Sequence, residues 1–237
     1  MIAVKNAARH GVRLAIDIAL GVDIVSLMAT GAVEDVAHEW LGMVSFALLA
    51  AHLWVNRRWW RSLARGRYTA RRVLATALDL LLVALMAALA ISSVVLSRYA
   101  FSWLSALPGV SQARLVHLVG SAWLLMIAGC HAGMHLRFRA GTSSARRRAA
   151  ALCLACAACY GLWNLYNLGV LQIMTLQARY AFVDADIPVV VSFIRYASIF
   201  ALGMTAASLL SSLMSPRCAA KSKDGAKRPD TTYKKED

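Results

Sequence analysis

Long apolar runs alternate along this chain with short, mostly basic polar stretches, six times over. The runs cover roughly residues 11–30, 37–56, 72–97, 112–137, 147–170 and 188–213. Each comes close to or passes the about 20 residues that an α-helix needs to cross the hydrocarbon core of a bilayer. None alternates apolar with polar positions at a period of two, and Ala and Leu dominate. The pattern therefore predicts helices and argues against the strands of a barrel. The expected fold class is all-α, a six-transmembrane-helix bundle. The first run resembles a secretory signal, because a basic stretch precedes apolar and small residues. Asp17 and Asp23 interrupt it, so it is expected to be a retained span.

Composition supports the membrane reading. Of 237 residues, 59% are hydrophobic and 16% charged, and the mean hydropathy is +0.57. A soluble domain of this size carries charge on about a quarter of its residues, so the excess apolar surface must face lipid. The net charge of +14 raises the question of nucleic acid, but the placement of the basic residues answers it. Lys5, Arg9 and Arg13 precede or open the first run, seven Arg lie from Arg57 to Arg72, five from Arg137 to Arg148, and seven Lys or Arg follow Ser215. Only Arg98, Arg114 and Arg179 fall in the alternate loops, with Arg195 inside the last run. This is the positive-inside distribution on every loop, so both termini are expected in the cytoplasm and the chain in a bacterial-type inner membrane. Its partners are expected to include the lipid bilayer and no nucleic acid. Residues 1–215 form the expected membrane domain, and residues 216–237 a basic, disordered cytoplasmic tail.

The five cysteines imply no disulfide framework, since Cys130, Cys153, Cys156 and Cys159 lie inside predicted spans. CLACAAC has the look of an iron–sulfur run. On a continuous helix, however, residues three apart drift around the axis, and the fourth Cys with its Pro is missing.

The candidate chemistry lies in a repeated frame. HEWLGMVSFALLAAH runs from His38 to His52, and HLVGSAWLLMIAGCH from His117 to His131. A step of 14 residues rises about 21 Å on an α-helix and turns to within about 40° of four full turns. Both histidines of a pair thus project to nearly one face, one near each membrane surface. One span separates the second run from the fourth, so the two run in the same direction in an up-and-down bundle. His38 then matches His117 at the outer level, and His52 matches His131 at the inner level.

Ionisable residues inside a membrane call for a function. Paired histidines at matched depth serve as interhelical hydrogen bonds, as transition-metal ligands, or as axial ligands of two b-type haems. A second hydrogen-bonded pair is more than packing needs, and metal would bring carboxylate or thiolate co-ligands. Axial haem ligation by helix-borne imidazoles therefore fits best, giving a cytochrome b-like dihaem core. Gly42 and Ser45, Gly120 and Ser121, and Gly129 and Gly133 are small residues near these histidines that would leave room for a porphyrin. His135, one turn after His131, is the alternative inner ligand, although His131 repeats the frame of the other helix. His10 precedes the first span and is expected to be solvated.

The same residues resemble a known family. HEWLGMVSFALLAAHLWVNRRWW with SLARGRYTARR, and later ARLVHLVGSAWLLMIAGCHAGMHLRF, are similar to the signatures of the flavinylation-associated cytochromes, dihaem b-type membrane cytochromes once catalogued only as a domain of unknown function. The resemblance spans roughly residues 12–210, specific in the two histidine helices and vague elsewhere. One departure is Ser92-Ser93, where the family often has Ser-Gly. The resemblance implies an electron-transfer module working with a flavin-carrying extracytoplasmic partner. No flavin-attachment segment is evident in this chain.

Around this core, Arg98 and Arg114 are candidate partners for outer haem propionates, or simply snorkel to the interface. Arg195 has Asp17, Asp23, Asp79 or a propionate as candidate partners. The three Asp residues also suggest a proton path, against which stand buried hydrogen bonding and helix-end placement. Glu39 either orients an outer partner or complements its own helix N-terminus. Trp54, Trp59, Trp60, Tyr99, Phe101 and Trp103 read as interfacial belts, with a quinone site at either surface unmarked by any residue. The competing expectation is a proton- or metal-handling transporter using the same His and Asp residues. Such a protein would show Gly or Pro breaks near the midplane, and the four prolines lie at loop edges or in the tail.

Overall fold

A computed structural model describes residues 2–29, 35–104, 108–136, 143–181 and 186–214. Among these, no strand forms. The chain runs through α1 (Ile2–Met28), α2 (Asp35–Val55), a short α3 (Arg58–Ser62), α4 (Ala70–Leu96), a 3-10 turn at Ser102–Leu104, α5 (Val110–His135), α6 (Ser144–Asn167), a short α7 (Val170–Met174) and α8 (Val189–Met214).

Local sequence explains several of the boundaries. Thr69 begins α4 and Ser143 begins α6, each hydroxyl accepting from the backbone N–H three residues on, at Arg72 and Arg146. The fifth apolar run ends earlier than expected, at Asn167. Gly169 takes a left-handed conformation (φ 67°), which turns the chain into α7.

Five helices, α2, α4, α5, α6 and α8, are long and apolar enough to cross a membrane. The sixth expected span, in α1, is not among them. That helix is 27 residues long but carries Lys5, Arg9, Arg13, Asp17 and Asp23 along its length. Large apolar side chains face outward on the long helices: Ile91 on α4, Leu162 and Trp163 on α6, and Val190 and Leu213 on α8 are all more than 60% exposed. A water-soluble bundle of this size would not present so much apolar surface. The bundle is compatible with a multi-pass membrane protein. Trp54, Trp60, Tyr99 and Trp103 also point outward, where belts were expected. The basic tail and Arg137 and Arg139 lie outside the described residues.

α5 is the centre of the packing, held between α4 and α8, while α6 packs on the far side of α8 and α1 packs along α2. The close approaches rest on glycine. A Cβ at Gly129 would strike the Phe200 carbonyl oxygen, one at Gly133 that of Met204, and one at Gly161 that of Ser198. These obstacles are backbone, so helix separation depends on the missing side chains. Gly129 and Gly133, expected to leave room for a ring beside His131, instead seat α5 against α8. Gly120 likewise packs against Leu89 of α4. Leu125 and Ile199, with no exposed surface, anchor the main core together with Val25, Ala122, Val170 and Ile173.

Candidate functional site

Both histidine pairs face each other. His38, in the first turn of α2, has its ring centroid 6.2 Å from that of His117, with the planes at 67°. His52, in the last turn of α2, lies 6.4 Å from His131, with the planes at 72°. α2 and α5 therefore run in the same direction, as the repeated frame required. The two levels are separated by an apolar layer, in which Phe46 and Leu49 of α2 pack against Met86, Leu89 and Leu124.

The backing of each ring differs. Asp17 of α1 accepts from His52 Nδ1 at 2.8 Å, and Asp79 of α4 from His131 Nδ1 at 2.7 Å. His117 Nδ1 lies 3.4 Å from the hydroxyls of both Ser92 and Ser93. His38 Nδ1 is buried without a partner. Among the described residues, Nε2 makes no hydrogen bond in any of the four. Wherever Nδ1 is engaged, the second nitrogen is thus left with its lone pair for another ligand.

The outer pair opens into a cavity of about 790 Å³ between α1, α2, α4 and α5. Gly42 and Ser121 line it, and a Cβ at Gly42 would meet nothing within 4 Å. Here the small residues do leave space. Arg98 and Arg114 line the same cavity, joined by Arg179, Tyr180 and Tyr196. Arg98 also lies 3.9 Å from Asp35, a solvated pair with both side chains more than 70% exposed, worth little.

Glu39 follows neither expectation. Its carboxylate accepts from the backbone N–H of Arg98, Tyr99 and Ala100 at 3.2, 3.2 and 2.7 Å, and from the Ser97 hydroxyl. It binds the chain leaving α4 and fixes the outer rim beside His38. Ser45, expected to leave ring space, lines the outer cavity and also donates to Asp23 at mid-depth. Since Asp17, Asp23 and Asp79 are all engaged in this way, no ion pair joins them to Arg195 among the described residues.

His135 adjoins the inner pair on the His131 side. Its ring is 4.8 Å from that of His131, and it lines a separate cavity of about 210 Å³ with Thr69, Arg71, Arg72, Ala75 and Met134. Asp79, His131 and His135 bring their ligand atoms within 4.8 Å of one another, a possible metal-binding group. His10 is exposed on α1. Cys153, Cys156 and Cys159 are free and exposed on an unbroken α6, so they converge on nothing.

The described fold is a helical bundle compatible with a multi-pass membrane protein, with two stacked histidine pairs inside it. No family model, curated protein or solved structure matches the chain.

Proposed function

We propose that this protein is a dihaem b-type membrane cytochrome, in which His38 and His117 hold an outer haem and His52 and His131 an inner one. The observation that carries this reading is the ring separation. Two imidazoles on opposite sides of one iron, each with a metal–nitrogen bond of about 2.0 Å and about 1.1 Å more to the ring centre, have centroids about 6.2 Å apart. The measured separations are 6.2 and 6.4 Å. Both ring planes then contain the iron–nitrogen axis and are free to rotate about it, so twists of 67° and 72° are admissible. A direct imidazole–imidazole hydrogen bond, at about 3 Å between nitrogens, would draw the centroids closer than this.

The haems would supply one-electron chemistry, and the chain's own residues the rest. The four histidines fix ring position and depth. Phe46, Leu49, Met86, Leu89 and Leu124 keep water out between the levels. Arg98, Arg114 and Arg179 offer cations to carboxylates at the outer mouth. The protein would act as an electron-transfer subunit of an oxidoreductase system, carrying electrons between the two membrane faces. The flavin-carrying extracytoplasmic partner implied by the family resemblance would meet the outer face, with quinone a further candidate partner. The inner-membrane setting, the sixth span in α1 and cytoplasmic termini belong to the same proposal.

One observation favours a second reading. The Asp79, His131 and His135 group suits a small metal ion, as a proton- or metal-handling transporter would need. That reading leaves His38, His52 and His117 without a role. Reduced-minus-oxidised absorption spectra of the purified protein, expressed with haem supply, separate the two. Two haems per chain are expected, with His38→Ala or His117→Ala removing one and His52→Ala or His131→Ala the other. A colourless, folded preparation overturns the cytochrome reading, and full haem content in His131→Ala with loss in His135→Ala reassigns the inner ligand.

A further inference from the structure

The two levels differ in the electron-donating power of their imidazoles. At the inner level both rings are backed by carboxylates, His52 by Asp17 at 2.8 Å and His131 by Asp79 at 2.7 Å. At the outer level His117 has only serine hydroxyls at 3.4 Å, and His38 Nδ1 has no partner. A carboxylate at such a distance accepts the Nδ1 proton in a charge-assisted bond, fixes the tautomer and makes Nε2 more basic. A more basic ligand favours the more highly charged state of the metal it holds, here ferric over ferrous.

At the outer mouth the surrounding cations act in the same direction, whereas the one that Arg71 brings near the inner pair acts against it. Arg98, Arg114 and Arg179 line the outer cavity and favour the less positive, ferrous state there. Of the two carboxylates beside His38, Asp35 is solvated and paired with Arg98, and Glu39 is already bound by three backbone N–H groups and a hydroxyl. Near the inner pair, the Arg71 guanidinium donates to the Ser211 hydroxyl at 2.7 Å and the Met134 carbonyl at 2.9 Å, and forms no ion pair with Asp17 or Asp79.

We propose that Asp17 and Asp79 are positioning residues that make the inner site the lower-potential of the two. Resting on the dihaem reading above, this gives the bundle a preferred direction. An electron held at the inner level would pass downhill to the outer one, the inner site being oxidised as the outer is reduced. The family resemblance and the residue spacing did not supply that direction; the hydrogen-bond partners do.

Optical redox titration of the haem-loaded protein tests it. Wild type is expected to titrate in two one-electron steps, with His38→Ala retaining the lower and His52→Ala the higher. Asp17→Asn and Asp79→Asn should each weaken the ferric preference of the inner site by about tenfold, the lower end of what such a backing group contributes to metal affinity. That is a rise of about 59 mV per tenfold for one electron, with the outer step unmoved. Asp23→Asn, which removes an aspartate bonded to Ser45 and to no histidine, should move neither step. The proposal is overturned if His38→Ala retains the higher step or if neither Asn variant moves the lower one. Should the Asn variants shed the inner haem, the order of potentials in His38→Ala and His52→Ala still decides. A wild-type preparation without haem bands removes the dihaem reading itself, a different failure.

Discussion

Glycine does two different jobs in this bundle, and one pair of substitutions separates them. At Gly129 an added Cβ would run into the Phe200 carbonyl oxygen, with Gly203 also close by. The obstacle is the backbone of α8, so Gly129→Ala forces the two central helices apart. Overpacking of this kind costs about 1–3 kcal/mol. At about 2–4 °C per kcal/mol for a chain of this size, the melting temperature should fall by about 2–12 °C. Gly42 is the converse case, where an added Cβ meets nothing within 4 Å and the space beyond is the outer cavity. Gly42→Phe should fill that cavity and leave the fold's stability within about 0.5 kcal/mol of wild type, as for changes that touch no packed feature. Thermal melting of the haem-free protein in detergent, beside haem content of the haem-loaded protein, reads both effects. Gly129→Ala should melt early and keep two haems; Gly42→Phe should melt normally and keep only the inner one. An unchanged melting temperature in the first, or full haem content in the second, would refute the division of labour.

Two further outcomes follow from the hydrogen-bond network. Glu39→Ala strands the Arg98, Tyr99 and Ala100 N–H groups and the Ser97 hydroxyl, a loss of about 1–3 kcal/mol. Amide exchange at residues 98–100 should quicken roughly tenfold, and unchanged exchange would show that the carboxylate does not hold the rim. Asn164, 3% exposed, donates to the Ser198 hydroxyl at 3.1 Å and the Tyr160 carbonyl at 3.0 Å. Asn164→Ala should cost only about 0.6 kcal/mol, the typical worth of a polar contact between membrane helices, so its melting temperature should fall less than that of Gly129→Ala.

How much of this was legible beforehand depends on the kind of signal each feature leaves. The long apolar runs marked the helices, because length and hydropathy are additive along a sequence. The 14-residue frame placed the histidine pairs, because helical rotation returns nearly to its starting face over that step. Glycine function was misread at Gly120, Gly129 and Gly133, since a small residue looks the same whether it admits a ligand or a neighbouring helix. The short α3 and α7 left no periodic pattern to detect. α1 forms as a helix, yet its charges keep it out of the group long and apolar enough to cross a membrane.

The aspartates were noticed as membrane-embedded charges, but their partners were missed, although a signal existed. α4 runs antiparallel to α5, so the 14-residue step down α5 from His117 to His131 is answered by the equal step up α4 from Asp79 to Ser93. Both ends of that step are found in contact, Ser93 with His117 and Asp79 with His131. α1 runs antiparallel to α2 in the same way, Asp17 meeting His52 and Asp23 meeting Ser45 seven residues nearer the outer end. Continuing that register to His38 leads past the end of α1 at Met28. The helix that supplies a carboxylate at the inner level has therefore ended before the outer one, leaving His38 Nδ1 without a partner. The unequal backing of the two histidine pairs follows from helix length and register, and no separate feature is needed to produce it.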